Sequence, residues 1–168
     1  IGTSSKTATI RTKAANSAPL FSEFTCADSN STTSAVTGGN PYYIQGYSTL
    51  KITPGTATSR NWSQITKYTA VCNGVTVSNT NGGVLNLGKI SKSGNITVRV
   101  TVTDSRGYTR SVYKTITVIP YDRPNVYSIT LRRTNEIESE MQLVFNGSIS
   151  SITIDGTEYL LHEGESIV

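Results

Sequence analysis

The chain has 168 residues, room for one full domain of about 100 to 150 residues plus fragments. Its net charge of +4 is spread thinly, Arg132-Arg133 is the one basic doublet, and no Lys/Arg cluster alternates with aromatics, which argues against a nucleic-acid groove. No apolar run approaches the roughly 18 residues that cross a bilayer, so no membrane span is expected.

Charged residues make up 15% against a usual share of about 25%, so Ser, Thr and Asn must supply most of the polar surface. Hydrophobic residues make up 36%, a share that suits a thin two-layer core with wet threonine-rich outer faces. The start at Ile1 has no signal-peptide pattern and is expected to lie inside a longer protein.

Residues 7–12 alternate Thr, Ala, Thr, Ile, Arg, Thr and read as the last strand of a preceding module, so residues 1–17 are taken as its end or a linker. Pro19 then opens a pattern, with Phe21, Phe24 and Thr25 two, five and six positions on, that returns 105 positions later as Pro124, Val126, Ile129 and Thr130. That spacing matches the roughly 100 residues of one immunoglobulin-like sandwich. Residues 20–27 read as a strand with Leu20, Phe24 and Cys26 on one face and Phe21 on the other. The polar, glycine-tipped stretch 29–40 reads as a loop leading to Tyr42 and Tyr43. Residues 47–53 form a second strand, 56–63 at most one short helical turn, and 65–72 a third strand carrying Tyr68, Ala70 and Cys72 on one side. Asn73-Gly74 is a hairpin turn, because both residues tolerate the positive φ of a type I′ turn, and residues 75–78 return. Residues 84–90 give a short strand.

The clearest signal follows. Ile96, Val98, Val100 and Val102 alternate with Thr97, Arg99, Thr101 and Thr103, the mark of a half-buried strand. Asp104-Ser105-Arg106-Gly107 turns the chain, with Gly107 suited to a left-handed position, and residues 108–119 run back with Val112, Ile116 and Val118 inward. Seven strands between residues 20 and 119 predict an all-β fold, an immunoglobulin-like antiparallel β-sandwich over residues 18–120, flanked by β segments of neighbouring modules. A two-proline connector, Pro120 to Pro124, leads to residues 121–168, where 126–134, 138–146, 150–154 and 158–161 read as four more strands of a partial or small β-module.

Chemistry-bearing residues are sparse. His162 beside Glu163 and Glu165 reads as an exposed strand-end residue, and Glu136, Glu138 and Glu140 as a solvated face. Cys26, Cys72 and His162 have no metal-ligand spacing, no Gly-x-Ser-x-Gly elbow occurs, and no Asp-x-Asp-x-Asp calcium loop is present, a calcium site from Asp28, Asp104 and Asp122 converging at sandwich ends being the open alternative. Neither a catalytic residue nor a cofactor or metal is expected. Four Asn-x-Ser/Thr triplets, at Asn30, Asn61, Asn95 and Asn146, are background in a Ser/Thr-rich chain. Cys26 and Cys72 would close a loop of about 46 residues if paired, but their strand positions favour two separate thiols. Nine tyrosines against three phenylalanines and one tryptophan single out Tyr42, Tyr43, Tyr47 and Trp62 as candidate contacts for a sugar ring or a protein partner. For Trp62 the competing reading is core packing; for Tyr42 and Tyr43 a loop position leaves both readings open.

Phe21-x-x-Phe24-Thr25, Ile44-Gln45-Gly46-Tyr47-Ser48-x-Leu50, Ile65-x-x-Tyr68, Asn73-Gly74, Val100-x-Val102-Thr103-Asp104-Ser105-Arg106-Gly107 and Thr115-Ile116-Thr117-Val118-x-x-Tyr121-x-x-Pro124 together resemble the repeated immunoglobulin-like region of minor structural proteins from siphophages of Gram-positive bacteria. The resemblance covers about residues 18–124. It implies a non-enzymatic virion component of a phage tail, fibre or baseplate that contributes to tail-tip architecture and host adsorption, with other virion tail proteins and a host cell-wall saccharide as partners. A bacterial surface adhesin of the same architecture is the alternative, and an ancillary sandwich of a cell-wall hydrolase a third reading. Homo-oligomerisation is open, since no heptad or collagen-like stretch specifies it.

Overall fold

The computed structural model describes residues 2–9, 17–38, 41–133 and 141–160. Among them the chain is mostly β, with twelve strands and one short helix. It forms two compact units that interleave along the sequence: residues 1–27, 50–88 and 97–115 make one, and residues 28–49, 89–96 and 116–168 the other.

The first unit holds a three-stranded sheet in the order β1 (Phe24–Asp28), β3 (Thr49–Pro54), β6 (Leu85–Lys89). A second sheet runs β8 (Thr109–Ile119), β7 (Gly94–Asp104), β4 (Ile65–Cys72), β5 (Val75–Asn79). Each sheet buries one face. Phe24 and Cys26, Leu50 and Ile52, and Leu85 and Leu87 are the buried alternates of the first sheet. Ala70, Cys72, Val98, Val100 and Val102 are those of the second. β-Branched valines stand well on a pleated surface, and each one fully buried stabilises the fold by about 1.5 to 3 kcal/mol. Val100 pairs with Ala70 and Val102 with Tyr68, which fixes the antiparallel register of β7 on β4. A one-residue slip would send all three valines to water. Asn73 and Gly74 have φ of 51° and 80°, the expected type I′ geometry, and Gly107 takes φ 86° in its turn.

In the second unit β2 (Tyr42–Ile44) pairs parallel with the end of β8, Tyr42 opposite Thr117 and Ile44 opposite Ile119. The helix α1 (Ser31–Thr37) and the hairpin of β11 (Ser151–Ile154) and β12 (Thr157–Leu160) belong to the same unit. Ile44, Tyr121, Ile152 and Ile154 form its buried core, with Val36, Tyr42, Tyr47 and Tyr159 packed against it. β9 (Asn125–Arg133) and β10 (Met141–Ser148) pair as a separate antiparallel ribbon.

Several expectations are corrected. The stretch 29–40 is not a plain loop: Asn30 caps α1 by accepting from the backbone N–H groups of Thr32 (3.0 Å) and Thr33 (3.5 Å), and Gly38 ends the helix at φ 64°. The Ser/Thr composition hid this helix, because those residues are poor formers away from the cap. Tyr42 and Tyr43 lie on a strand rather than a loop, which makes eight strands between residues 20 and 119 instead of seven. The second strand begins at Thr49, since residues 45–47 turn through Gly46 at φ 76°. Between Pro19 and β1 the alternation breaks: Leu20 makes an isolated bridge with Thr58 and is half exposed, while Phe21 is buried. Residues 21–23 are not strand, so the period-two phase that assigned the faces does not carry through. Thr58 therefore also bridges within the segment read as a short helical turn. Residues 7–9 are exposed and form no strand, and residues 10–12 lie outside the described residues. Residues 134 and 138–140 of the later expected strands and residue 161 also lie outside them.

Candidate functional site

Four non-glycine residues among those described have positive φ: Asn61, Trp62, Asn73 and Asp155. Asn and Asp tolerate the left-handed region because their short polar side chains bond locally; a bulky indole does not. Trp62 holds φ 63° directly after Asn61 at 51°, and its side chain is fully exposed, at 105% of the reference area. The core-packing reading of Trp62 is thereby overturned.

The surroundings of this turn explain how the strain is held. The backbone N–H of Ser63 donates to the Arg60 carbonyl oxygen (3.2 Å), closing a four-residue turn with Asn61 and Trp62 at its tip. The Ser63 hydroxyl reaches that same oxygen (2.7 Å) and Asp104 Oδ2 (3.0 Å), so its one proton is shared between two acceptors. Asp104 is a buried carboxylate whose Oδ1 accepts the backbone N–H groups of Arg106 (2.9 Å) and Tyr108 (3.0 Å). Its Oδ2 meets Arg106 Nη2 at 2.6 Å, and the same nitrogen donates to the Ser17 carbonyl oxygen at 2.7 Å. Burial pushes the Asp104 carboxyl up, but hydrogen bonds from Arg106, Ser63 and Tyr108 outweigh it and hold it below the usual range. Ser105 and Gln64 add a reciprocal pair, the Ser105 N–H to the Gln64 carbonyl oxygen at 2.8 Å and the Gln64 N–H to Ser105 Oγ at 3.3 Å. The Asp-Ser-Arg-Gly turn thus clamps the tip that projects Trp62.

Arg60, the first residue of that turn, also lines a groove of about 580 Å³ whose walls include Leu20, Phe21, Thr56, Thr58 and Arg110. The size falls within the range of small-molecule sites. Neither guanidinium has an ion pair or side-chain hydrogen bond to another described residue, which leaves two forked donors beside apolar and hydroxyl-bearing walls. Such a setting suits a ligand with an anionic group next to a ring or methylene face. Sequence reasoning missed the groove, because Arg60 and Arg110 are fifty positions apart and only the fold brings them to line it together.

The tyrosine candidates are otherwise engaged. Tyr43 is fully buried and so unavailable to a surface ligand. Tyr42 donates its phenolic hydrogen to Asp155 Oδ1 at 3.0 Å; that bond and the carboxylate charge raise its pKa above the ordinary value. Tyr47 packs edge-on against Tyr121, ring centroids 5.1 Å apart at 84°, with the Arg123 guanidinium 5.6 Å from its ring centre. Parallel pairing of β2 with β8 draws these rings into the second unit's core. Trp62 is in the other unit, so the four candidates divide into two sets.

Two of the three carboxylates expected at sandwich ends, Asp28 and Asp104, serve their own turns. Asp28 accepts from the N–H groups of Asn30 (2.9 Å) and Thr49 (2.8 Å) and from the Thr33 hydroxyl (2.5 Å), and Asp104 is spent as described. Among the described residues no group of three His, Cys, Asp or Glu side chains could hold a metal ion. His162, Glu136, Glu138 and Glu140 lie outside those residues. Cys26 and Cys72 are both buried free thiols; burial pushes Cys26 up to about 11, Lys114 opposing and Cys72 adding to the rise, and burial raises Cys72 as well. No helix among the described residues is long and apolar enough to cross a membrane.

Compared with known proteins, residues 1–159 match the model of a family described as siphovirus protein of unknown function (DUF859). No curated protein matches the chain.

Proposed function

The chain belongs to this siphovirus protein family, and on that premise we propose that it is a non-enzymatic structural module of the virion, carried in the tail, fibre or baseplate of a phage of Gram-positive bacteria, where it contributes to tail-tip architecture and host adsorption. The family match over residues 1–159 carries the phage reading and disfavours the adhesin. The buried faces of the β1–β3–β6 and β8–β7–β4–β5 sheets support an immunoglobulin-like sandwich over residues 18–120, a spacer that holds surface loops at a fixed position. For adsorption the supporting observation is Trp62, an exposed indole on a strained, clamped turn, since strain of this kind gathers where a side chain must be presented. A saccharide with an anionic group is the ligand class that suits a groove lined by Arg60 and Arg110 together with an exposed indole two residues on from Arg60.

Two experiments test this. Immunogold labelling of virions with antibody to the chain should decorate the tail; label on the capsid alone would overturn the placement. Purified chain should compete with virions for host cell walls, and Trp62→Ala or the double change Arg60→Ala, Arg110→Ala should reduce the competition at least tenfold. Undiminished competition by both variants would remove the groove and the turn from adsorption while leaving the structural role standing.

A further inference from the structure

The ribbon of β9 and β10 carries two faces of opposite character. On one, Ser128 accepts from Asn146 Nδ2 (3.0 Å) and Arg132 Nε donates to Gln142 Oε1 (3.0 Å), so cross-strand polar pairs satisfy each other in water. The other face brings Leu131 opposite Leu143 and Ile129 opposite Phe145, with Met141 opposite Arg133 at one end and Val126 opposite Gly147 at the other, past a bulge at Tyr127, whose hydroxyl donates to Ser148 Oγ (2.8 Å) on the polar side. The six apolar residues on it, Val126, Ile129, Leu131, Met141, Leu143 and Phe145, are 49 to 61% exposed. Together they present on the order of 600 Å² of contiguous surface, at or above the largest apolar patch of an ordinary monomer. A two-stranded ribbon left in water on both sides is marginal at best.

We propose that this face stacks on the same face of a second copy of the chain, in an antiparallel two-fold arrangement. Three observations select that occupant. Two such faces would remove on the order of 1,200 Å² from water, the lower bound for a specific stable interface, without help from any other surface. The patch is self-complementary, with Leu131, Leu143, Ile129 and Phe145 central, as an isologous contact requires. The charge is placed to set direction: antiparallel stacking holds the two copies of Arg133 at opposite ends, about 20 Å apart and beyond screening distance. Parallel stacking would bring those guanidiniums together. The proposal rests on register and exposure and is independent of where in a virion the chain resides.

Sedimentation equilibrium of the 168-residue chain across concentration tests it. The expected result is twice the chain mass, with Leu131→Lys raising the dissociation constant by roughly a hundredfold or more, the equivalent of about 2.7 kcal/mol. Thr130→Lys puts the same charge on the opposite, polar face of the same strand and should leave the dimer intact, as should Leu131→Met. Far-UV circular dichroism checks that all variants keep their strands. Monomer throughout, a three-fold mass, dissociation by Thr130→Lys as readily as by Leu131→Lys, or a dimer indifferent to Leu131→Lys would each overturn the proposal.

Discussion

Replacing Trp62 with glycine should make the protein more stable and a poorer binder, an opposition that a purely structural tryptophan cannot produce. The left-handed conformation costs a bulky L-residue about 1 to 2 kcal/mol, which glycine does not incur. Glycine in turn loses about 0.5 to 1 kcal/mol more backbone entropy on folding. The indole, fully exposed, has no packing to lose. The balance is a gain of about 0.5 to 1 kcal/mol. With a urea slope of about 2 kcal/mol per molar, the unfolding midpoint should rise by roughly 0.3 to 0.5 M. Trp62 is the only tryptophan, so unfolding of the variant must be followed by circular dichroism rather than indole emission. The same fact makes it a clean reporter in the native chain, where acrylamide should quench folded and urea-unfolded protein almost equally. A midpoint that falls, or an indole protected in the folded state, would refute the reasoning, because either result means that the ring is packed.

Other perturbations separate the elements. Val100→Ala removes two methyl groups from a fully buried site and should destabilise by about 2 to 3 kcal/mol in urea, whereas Arg99→Ala on the exposed face of the same strand should stay within about 0.5 kcal/mol. Stability should fall as pH rises from 9.0, the ordinary cysteine value, through about 11, where the buried Cys26 thiol ionises. In that window the unfolded chain has lost its proton and the folded chain has kept it, so unfolding is favoured by on the order of 2 kcal/mol; Cys26→Ala should flatten that part of the profile. Both thiols should react with an aromatic disulfide reagent at pH 8 only as fast as the protein opens, and at once in denaturant. Asn30→Ala removes the cap of α1 and should destabilise by about 1 kcal/mol in the same titration, the helix signal falling first.

Local rules made most of the strands legible. Period-two alternation placed β7 and β8 to within a few residues, and Asn73-Gly74 located its hairpin because few other residue pairs accept two positive φ angles. The same rules failed where a decisive partner is remote in sequence. Tyr42 and Tyr43 follow a glycine-rich approach and read as loop, yet a parallel partner at the end of β8, some 75 positions away, makes them strand. Leu20 and Phe21 exchanged faces because a single bridge to Thr58 interrupts the strand before β1. The candidate site was half visible. Trp62 stood out as the one tryptophan, but nothing local showed that it points to water, since that depends on Ser63 being tied to Asp104, 41 positions on. The groove pairing Arg60 with Arg110 had no local signature at all.

Alternation in a strand says that one face is apolar and is silent on what covers it. β7 and β9 have the same kind of pattern, Ile96 to Val102 in one and Tyr127 to Leu131 in the other. The structure divides them. The valines of β7 fall to zero exposure, while every residue of β9 remains exposed. In the first case the chain supplies its own second layer, and the free energy of covering the face appears as folding stability. In the second the ribbon is held by its backbone pairing with β10, and covering the face is deferred to association, where it appears as affinity and depends on concentration. Urea midpoints should therefore rise with protein concentration for the wild-type chain and for variants on β7, and should not for Leu131→Lys, which removes the association. A concentration-independent midpoint for the wild-type chain and Leu131→Lys alike would show that the ribbon's apolar face gains nothing from a second copy.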